Sequence, residues 1–183
     1  MTYSTDWLLN QLAQNAPVKY LFFWGHQPSK DGAITKACFS QWWLADFAVD
    51  GITYRSAEHW MMAEKARLFG DENTLAMILA AKSPAEAKKL GRLIQGFVPE
   101  AWEAHKMKIV VDGNLHKFSQ NPALRQFLGL TNDRVLVEAS PVDTIWGIGL
   151  AADSADAADP SRWQGPNLLG FALMEVRDQL RNS

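Results

Sequence analysis

The sequence has little of what would tie it to the cell exterior, a membrane or a structural metal. Cys38 is the single cysteine in 183 residues. That excludes an internal disulfide framework and a thiolate zinc site, and it fits a reducing compartment. No apolar run reaches the ~18 residues of a membrane span; the longest candidates are broken by Trp24-Gly25-His26 and by Lys106 and Lys108. The opening Met1-Thr2-Tyr3-Ser4-Thr5-Asp6 lacks the regions of a secretory signal, and Arg181-Asn182-Ser183 carries no prenylation signal. A cytoplasmic location with no membrane partner is therefore expected. Surplus positive charge is absent too: 18 basic side chains face 20 acidic ones, for a net charge of −2. Sequence-blind duplex binding depends on such a surplus, so that trade is disfavoured. P-loop, dinucleotide-binding glycine fingerprint and serine nucleophile elbow are all missing. No second histidine follows His59 at a metal-binding interval, so no metal and no cofactor are expected.

What is present is an ordinary globular composition, 48% hydrophobic and 21% charged, with eight tryptophans. A chain of this length buries about 70% of its unfolded surface and folds without staples. Ser4 or Thr5 can cap a short helix carrying Leu8, Leu9 and Leu12, ended before Pro17. Lys19 to Trp24 reads as a short buried strand. Asp50-Gly51 between Phe47-Ala48-Val49 and Ile52-Thr53-Tyr54 is a hairpin signal. Ser56 can cap a helix running to about Phe69 with Gly70 as its stop, and Asp71 opens another. Ser83-Pro84-Ala85-Glu86 combines a capping box with proline at the first helical position. Pro99 opens a long helix with Trp102, Ile109 and Leu115 near one face, and Asn121-Pro122 starts a shorter one ended by Gly129. Val135-Leu136-Val137 is a short strand, residues 140–166 are mostly loop, and Asn167 to Leu180 is a closing amphipathic helix. There is no internal repeat and no dividing linker. The expected class is α+β, predominantly helical: a single compact domain with a small antiparallel sheet or hairpin.

Two stretches can carry chemistry. In Ser56-Ala57-Glu58-His59-Trp60, Glu58 falls in a first helical turn, where free N–H groups stabilise an anion. Glu58 and Lys65 then lie on one helical face about 10 Å apart, too far for a salt bridge but suited to flanking a ligand. The second stretch, residues 140–149, holds Asp143, Trp146, Gly147 and Gly149 in a loop beyond a strand. It offers an acceptor, a stacking plate and close backbone approach, although a tight turn around a core tryptophan fits as well. Trp42 and Trp43 are adjacent, so on a strand one would face the core and the other a pocket. Lys30 and Lys36 precede them, and a lysine beside aromatic surface can become an amine nucleophile.

The order of these pieces resembles the NADAR, or YbiA-like, family. The matching stretches are Phe39-Ser40-Gln41-Trp42, residues 50–65, Ala87-Lys88-Lys89-Leu90-Gly91-Arg92, Trp102 with Lys106, residues 136–149 and residues 167–174. They cover about residues 20–180, so residues 1–18 are taken as a helical extension and 19–183 as the family domain. The resemblance implies hydrolysis of a bond between a ribose anomeric carbon and a nitrogen. The substrates it implies are ADP-ribose on guanine in DNA, which is favoured here, or the ribosylamino-pyrimidine phosphates of riboflavin synthesis. It also implies that Lys36 can trap the opened sugar as a Schiff base; direct attack by water is the other route. Glu58 and Asp143 are the candidate catalytic carboxylates beside Lys36. Trp42, His59, Lys65, Arg92, Trp102, Glu138, Trp146, Gly147 and Asn167 are the candidate substrate-binding residues. Two other classes fit the residues: a non-catalytic reader of ADP-ribose or a nucleotide, and an α-rich interaction protein whose tryptophans are all core. The expected partner is ADP-ribosylated nucleic acid or a small ribosyl nucleotide.

Overall fold

The computed structural model describes residues 2–182; Met1 and Ser183, the outer ends of the two expected segments, lie outside the described residues. The elements in chain order are α1 (Thr5–Ala13), β1 (Tyr20–Phe23), β2 (Phe47–Val49), β3 (Ile52–Tyr54), α2 (Ala57–Leu68), α3 (Glu72–Ala80), α4 (Pro84–Gly91), α5 (Pro99–Gln120), α6 (Pro122–Gly129), β4 (Val135–Glu138) and α7 (Leu168–Arg181). The class is α+β and predominantly helical, as expected. The chain folds into two compact units: Gln41–Pro122, and the chain up to Ser40 together with Ala123 onward.

In the Gln41–Pro122 unit, Asp50 and Gly51 both take positive φ, +50° and +79°. Such a turn matches the twist of the strands it joins, and β2 pairs antiparallel with β3 from Phe47↔Tyr54 to Val49↔Ile52. Ser56 caps α2 by accepting the His59 N–H at 3.3 Å. Asp71 and Ser83 cap α3 and α4 through the N–H groups of Thr74 and Glu86. The Glu86 carboxylate reaches back to the N–H of Lys82, one residue before the cap, so the capping box is closed one position early. Helix α2 is buried from Ala57 to Ala63 and packs against α3, α4 and α5.

The long helix differs from its expected face. Its buried side carries Lys106, Val110, Gly113, Asn114, Lys117 and Phe118, whereas Trp102, Ile109 and Leu115 are half-buried. The cause is Trp60 of α2. Its indole donates to the Ile109 carbonyl at 2.8 Å, and any Cβ on Gly113 would strike its ring.

In the other unit, β1 pairs with β4 in parallel, Tyr20↔Val135 through Phe23↔Glu138. The expected antiparallel hairpin is β2–β3, and this second, parallel pair is an addition to it. The two strands are joined by most of the chain rather than by a tight turn, and a parallel pair requires a long crossover. Helix α7 lies on β4, where Gly170 leaves room for the Leu136 carbonyl. Ser4 caps α1 through the Trp7 N–H at 3.0 Å, and Leu8 is fully buried. Tyr3 donates to the Asp178 carboxylate, and the N–H groups of Thr2 and Tyr3 donate to Glu175, so residues ahead of α1 are held on α7.

Candidate functional site

In the Gln41–Pro122 unit the chemistry gathers around α2. Glu58 occupies its first turn and is only 2% exposed. Its backbone N–H donates to the Gln41 carbonyl at 2.9 Å. Two turns on, the Lys65 ammonium donates to the carbonyl of Gly91 at 3.0 Å. Gly91 is the last residue of α4, so the cation sits at the negative end of a helix dipole. The same ammonium lies 4.4 Å from the centre of the Phe97 ring and 5.5 Å from that of Trp102. Burial pushes the Lys65 pKa below the usual lysine value, and the Glu58 carboxylate pulls it back upward. Arg92 follows Gly91 as the C-cap of α4 and is exposed. Lys65 of α2 is thus tied to the end of α4, which Arg92 follows, and to Trp102 of α5. Trp42 is half-buried, with the Lys88 ammonium 5.7 Å from its ring centre.

His59 is turned into the protein. Its Nδ1 lies 2.7 Å from the Ser56 hydroxyl and its Nε2 lies 3.2 Å from the Ala81 carbonyl. A carbonyl accepts only, so Nε2 carries the proton and the Ser56 hydroxyl donates to Nδ1. Burial holds its pKa below 6.5 and the ring neutral. Both nitrogens serve the fold, tying the start of α2 to the residue after α3.

The second group lies where β4 ends and α7 begins. Asn167 is fully buried in a left-handed conformation, φ +55°. Its side chain accepts the Glu138 N–H at 2.9 Å and donates to the Leu136 carbonyl at 2.9 Å. The amide therefore continues the hydrogen bonding of β4 as a neighbouring strand would, and it holds the Glu138 backbone in place. Asp143 accepts the N–H groups of Ile145 and Trp146 on one oxygen, at 2.9 and 2.8 Å. This is an Asx turn, the tight-turn reading of the loop. Gly147 lets the loop touch β4: a Cβ there would lie 2.7 Å from the Glu138 carbonyl oxygen. Its own carbonyl accepts the Asn167 N–H, and that of Trp146 accepts the Leu169 N–H. Glu138, Asp143, Trp146, Gly147 and Asn167 are brought together in this way. In the same unit Lys36 is exposed, at the start of a 3-10 turn (Lys36–Phe39) capped by Thr35.

Four contributors escaped the sequence reading. Phe97 and the Gly91 carbonyl hold Lys65, the Gln41 carbonyl accepts the Glu58 N–H, and the Asn114 amide donates to the Gln41 side chain. Phe97 precedes Pro99 by two residues beside Gly96, a turn signal that says nothing about an ammonium. Asn114 becomes conspicuous only once the buried face of α5 is known. Among the described residues no three His, Cys, Asp or Glu side chains converge as a metal centre would require. No described helix is long and apolar enough to cross a membrane.

Comparison with known proteins identifies the family. The family model described as the NADAR domain matches residues 22–181. N-glycosidase R617 of Acanthamoeba polyphaga mimivirus is 42% identical over 166 residues, covering 88% of this chain and 96% of that protein. N-glycosidase YbiA of Escherichia coli K12 is 32% identical, covering 78% and 80%. The NMR structure of the E. coli protein YbiA superposes with a TM-score of 0.68 at 28% identity, covering 90% of this chain and 86% of that one. A match that runs through nearly the whole chain, with relatives this similar, leaves one conclusion: the chain belongs to the NADAR family.

Proposed function

We propose that this chain is an N-glycosidase that hydrolyses an N-ribosyl bond, and that its substrate is ADP-ribose carried on a guanine of nucleic acid. The family and the names of its relatives support the reaction class. The observation that carries the reading is the buried Glu58 carboxylate sharing one helix with Lys65, whose ammonium sits between Phe97 and Trp102. When the bond from C1′ to the base nitrogen breaks, its electron pair leaves with the base and positive charge grows on the ribose. A fixed carboxylate stabilises that charge, and water then attacks C1′, giving up one proton while the base nitrogen gains one. Glu58 is assigned the electrostatic and base role. Asp143 and Glu138 are the second carboxylates available, with Asp143 already committed on one oxygen to its turn. Trp102 and Trp146 are assigned to stacking, and Lys65 and Arg92 to the diphosphate. Lys36 is the amine for a Schiff-base route, which borohydride trapping of a protein–sugar adduct would reveal.

The test is turnover on a guanine-ADP-ribosylated oligonucleotide. Glu58→Gln is expected to lower it about 100-fold or more while the protein stays folded. Loss of a first-turn anion by itself costs only about 1 kcal/mol of stability. Activity that falls only with the folded fraction would make Glu58 structural. Release of sugar phosphate from a ribosylamino-pyrimidine phosphate, with no action on nucleic acid, would move the assignment to the small substrates.

A further inference from the structure

We propose that Asn114 is a positioning residue for Glu58, acting through Gln41; the proposal rests on the catalytic reading of Glu58 given above. Asn114 lies on the buried face of α5 and is fully buried; Gln41 is 6% exposed. The Asn114 amide nitrogen donates twice, to the Val110 carbonyl at 2.8 Å and to the Gln41 side-chain oxygen at 2.7 Å. The first bond settles its orientation, since a backbone carbonyl can only accept. Gln41 therefore presents oxygen to Asn114 and nitrogen to the Met61 sulfur, 4.0 Å away. The backbone carbonyl of the same Gln41 accepts the Glu58 N–H at 2.9 Å. A continuous path thus runs from α5 through one glutamine to the first turn of α2.

The path controls direction rather than mere presence of a helix. Ser56 already caps α2 through His59, so the helix has its start signal without Gln41. What Gln41 adds is a fixed partner for the N–H of Glu58 itself, and hence a fixed origin for its carboxylate. The arrangement carries a penalty that packing does not require. The Asn114 side-chain oxygen is buried with no hydrogen-bond partner among the described residues. An apolar residue of similar size would avoid an unmet acceptor, which in a folded protein calls for an explanation. Holding a carboxylate to within a fraction of an ångström is such an explanation, because a 1 Å misplacement of a reacting group can lower a rate by about 100-fold.

The experiment compares Asn114→Leu, Gln41→Met, the double variant and Glu58→Gln on a guanine-ADP-ribosylated oligonucleotide. Backbone amide exchange at Glu58 is followed by NMR in parallel. Asn114→Leu and Gln41→Met are each expected to lower kcat about 10-fold with KM within about twofold of the parent. The double variant should fall no further than either single one, because both break the same path. Exchange at the Glu58 N–H should accelerate about 10-fold while the rest of α2 is unchanged. Should the leucine variant not fold, Asn114→Ser, too short to reach Gln41, takes its place with the same expectations. Parent kcat in folded Asn114→Leu and Gln41→Met beside an inactive Glu58→Gln overturns the proposal and leaves the catalytic reading standing. Losses that multiply in the double variant overturn it too. An active Glu58→Gln overturns the catalytic reading itself, and the positioning role with it.

Discussion

His59 must lose its water for α2 to pack, and its imidazole is held between a serine hydroxyl and a backbone carbonyl, away from solvent that would stabilise a second proton. Its pKa in the folded protein accordingly lies below 6.5, with burial the chief cause. In the unfolded chain it is an ordinary histidine. Between the folded value and about 6.5 the unfolded state therefore binds more protons, and stability rises with pH across that window. Above it the contribution is flat; as pH falls through it, stability is lost. Urea midpoints measured from pH 7.5 down to pH 5 should drop in the parent protein. In His59→Asn the whole curve should be lower, because the bond to Ala81 is weakened, but its slope below pH 6.5 should be shallower. Equal slopes in the two proteins would show that some other group sets the acid limit. The same environment explains why the ring is a fastener here: a histidine that exchanges protons with a substrate needs one nitrogen directed at it.

At the level of elements, two glycines set the distances at which helices approach their supports. Gly113 of α5 faces the Trp60 ring, and Gly170 of α7 faces the Leu136 carbonyl of β4. A methyl group at either position meets something that cannot swing aside, since Trp60 is pinned through its indole and Leu136 through its backbone. Gly113→Ala and Gly170→Ala should each destabilise by about 1–3 kcal/mol, the range for overpacked cores, in spite of alanine's better helix propensity. Chemical denaturation checks this, and an unchanged or raised midpoint would show that the contact relaxes. These elements also show what could be read from the chain. The Asp50-Gly51 hairpin and the starts of α2, α3 and α4 were legible because their causes lie within four residues. The parallel pairing of β1 with β4 was not, because neither strand carries its partner's address. The buried face of α5 was misjudged for a related reason. A face carrying Lys106, Asn114 and Lys117 looks solvated until Trp60 and Gly113 turn it inward. For the site, Glu58 and Lys65 were legible as a pair two turns apart on one helix, whereas the carbonyl and the phenylalanine that hold Lys65 come from the end of α4 and the stretch beyond it.

For the molecule as a whole, charge limits how the proposed nucleic-acid substrate would be held. With 18 basic and 20 acidic side chains the composition offers no surplus of cations, so on the proposed reading affinity comes from a few local contacts. Lys65 and Arg92 supply two cations on neighbouring elements, and Trp102 adds a ring close to the first of them. On this basis log affinity for an ADP-ribosylated oligonucleotide should fall with log salt at a slope of about −1 to −3, far from the steep slope of a duplex tracker. The same limit bears on strand state. A guanine that stacks on Trp102 or Trp146 must leave its helix, and a duplex opposes that by a few kcal/mol. A single strand does not, and stacking on an aromatic ring recovers roughly 1–3 kcal/mol per base. Few phosphate contacts are available to offset the difference, so the lesion should be cleaved faster in single-stranded than in duplex oligonucleotides of the same sequence. Steady-state rates on matched strands decide the matter. Equal rates would mean that the base is not extracted, and a strong duplex preference would require a basic surface that the composition does not provide.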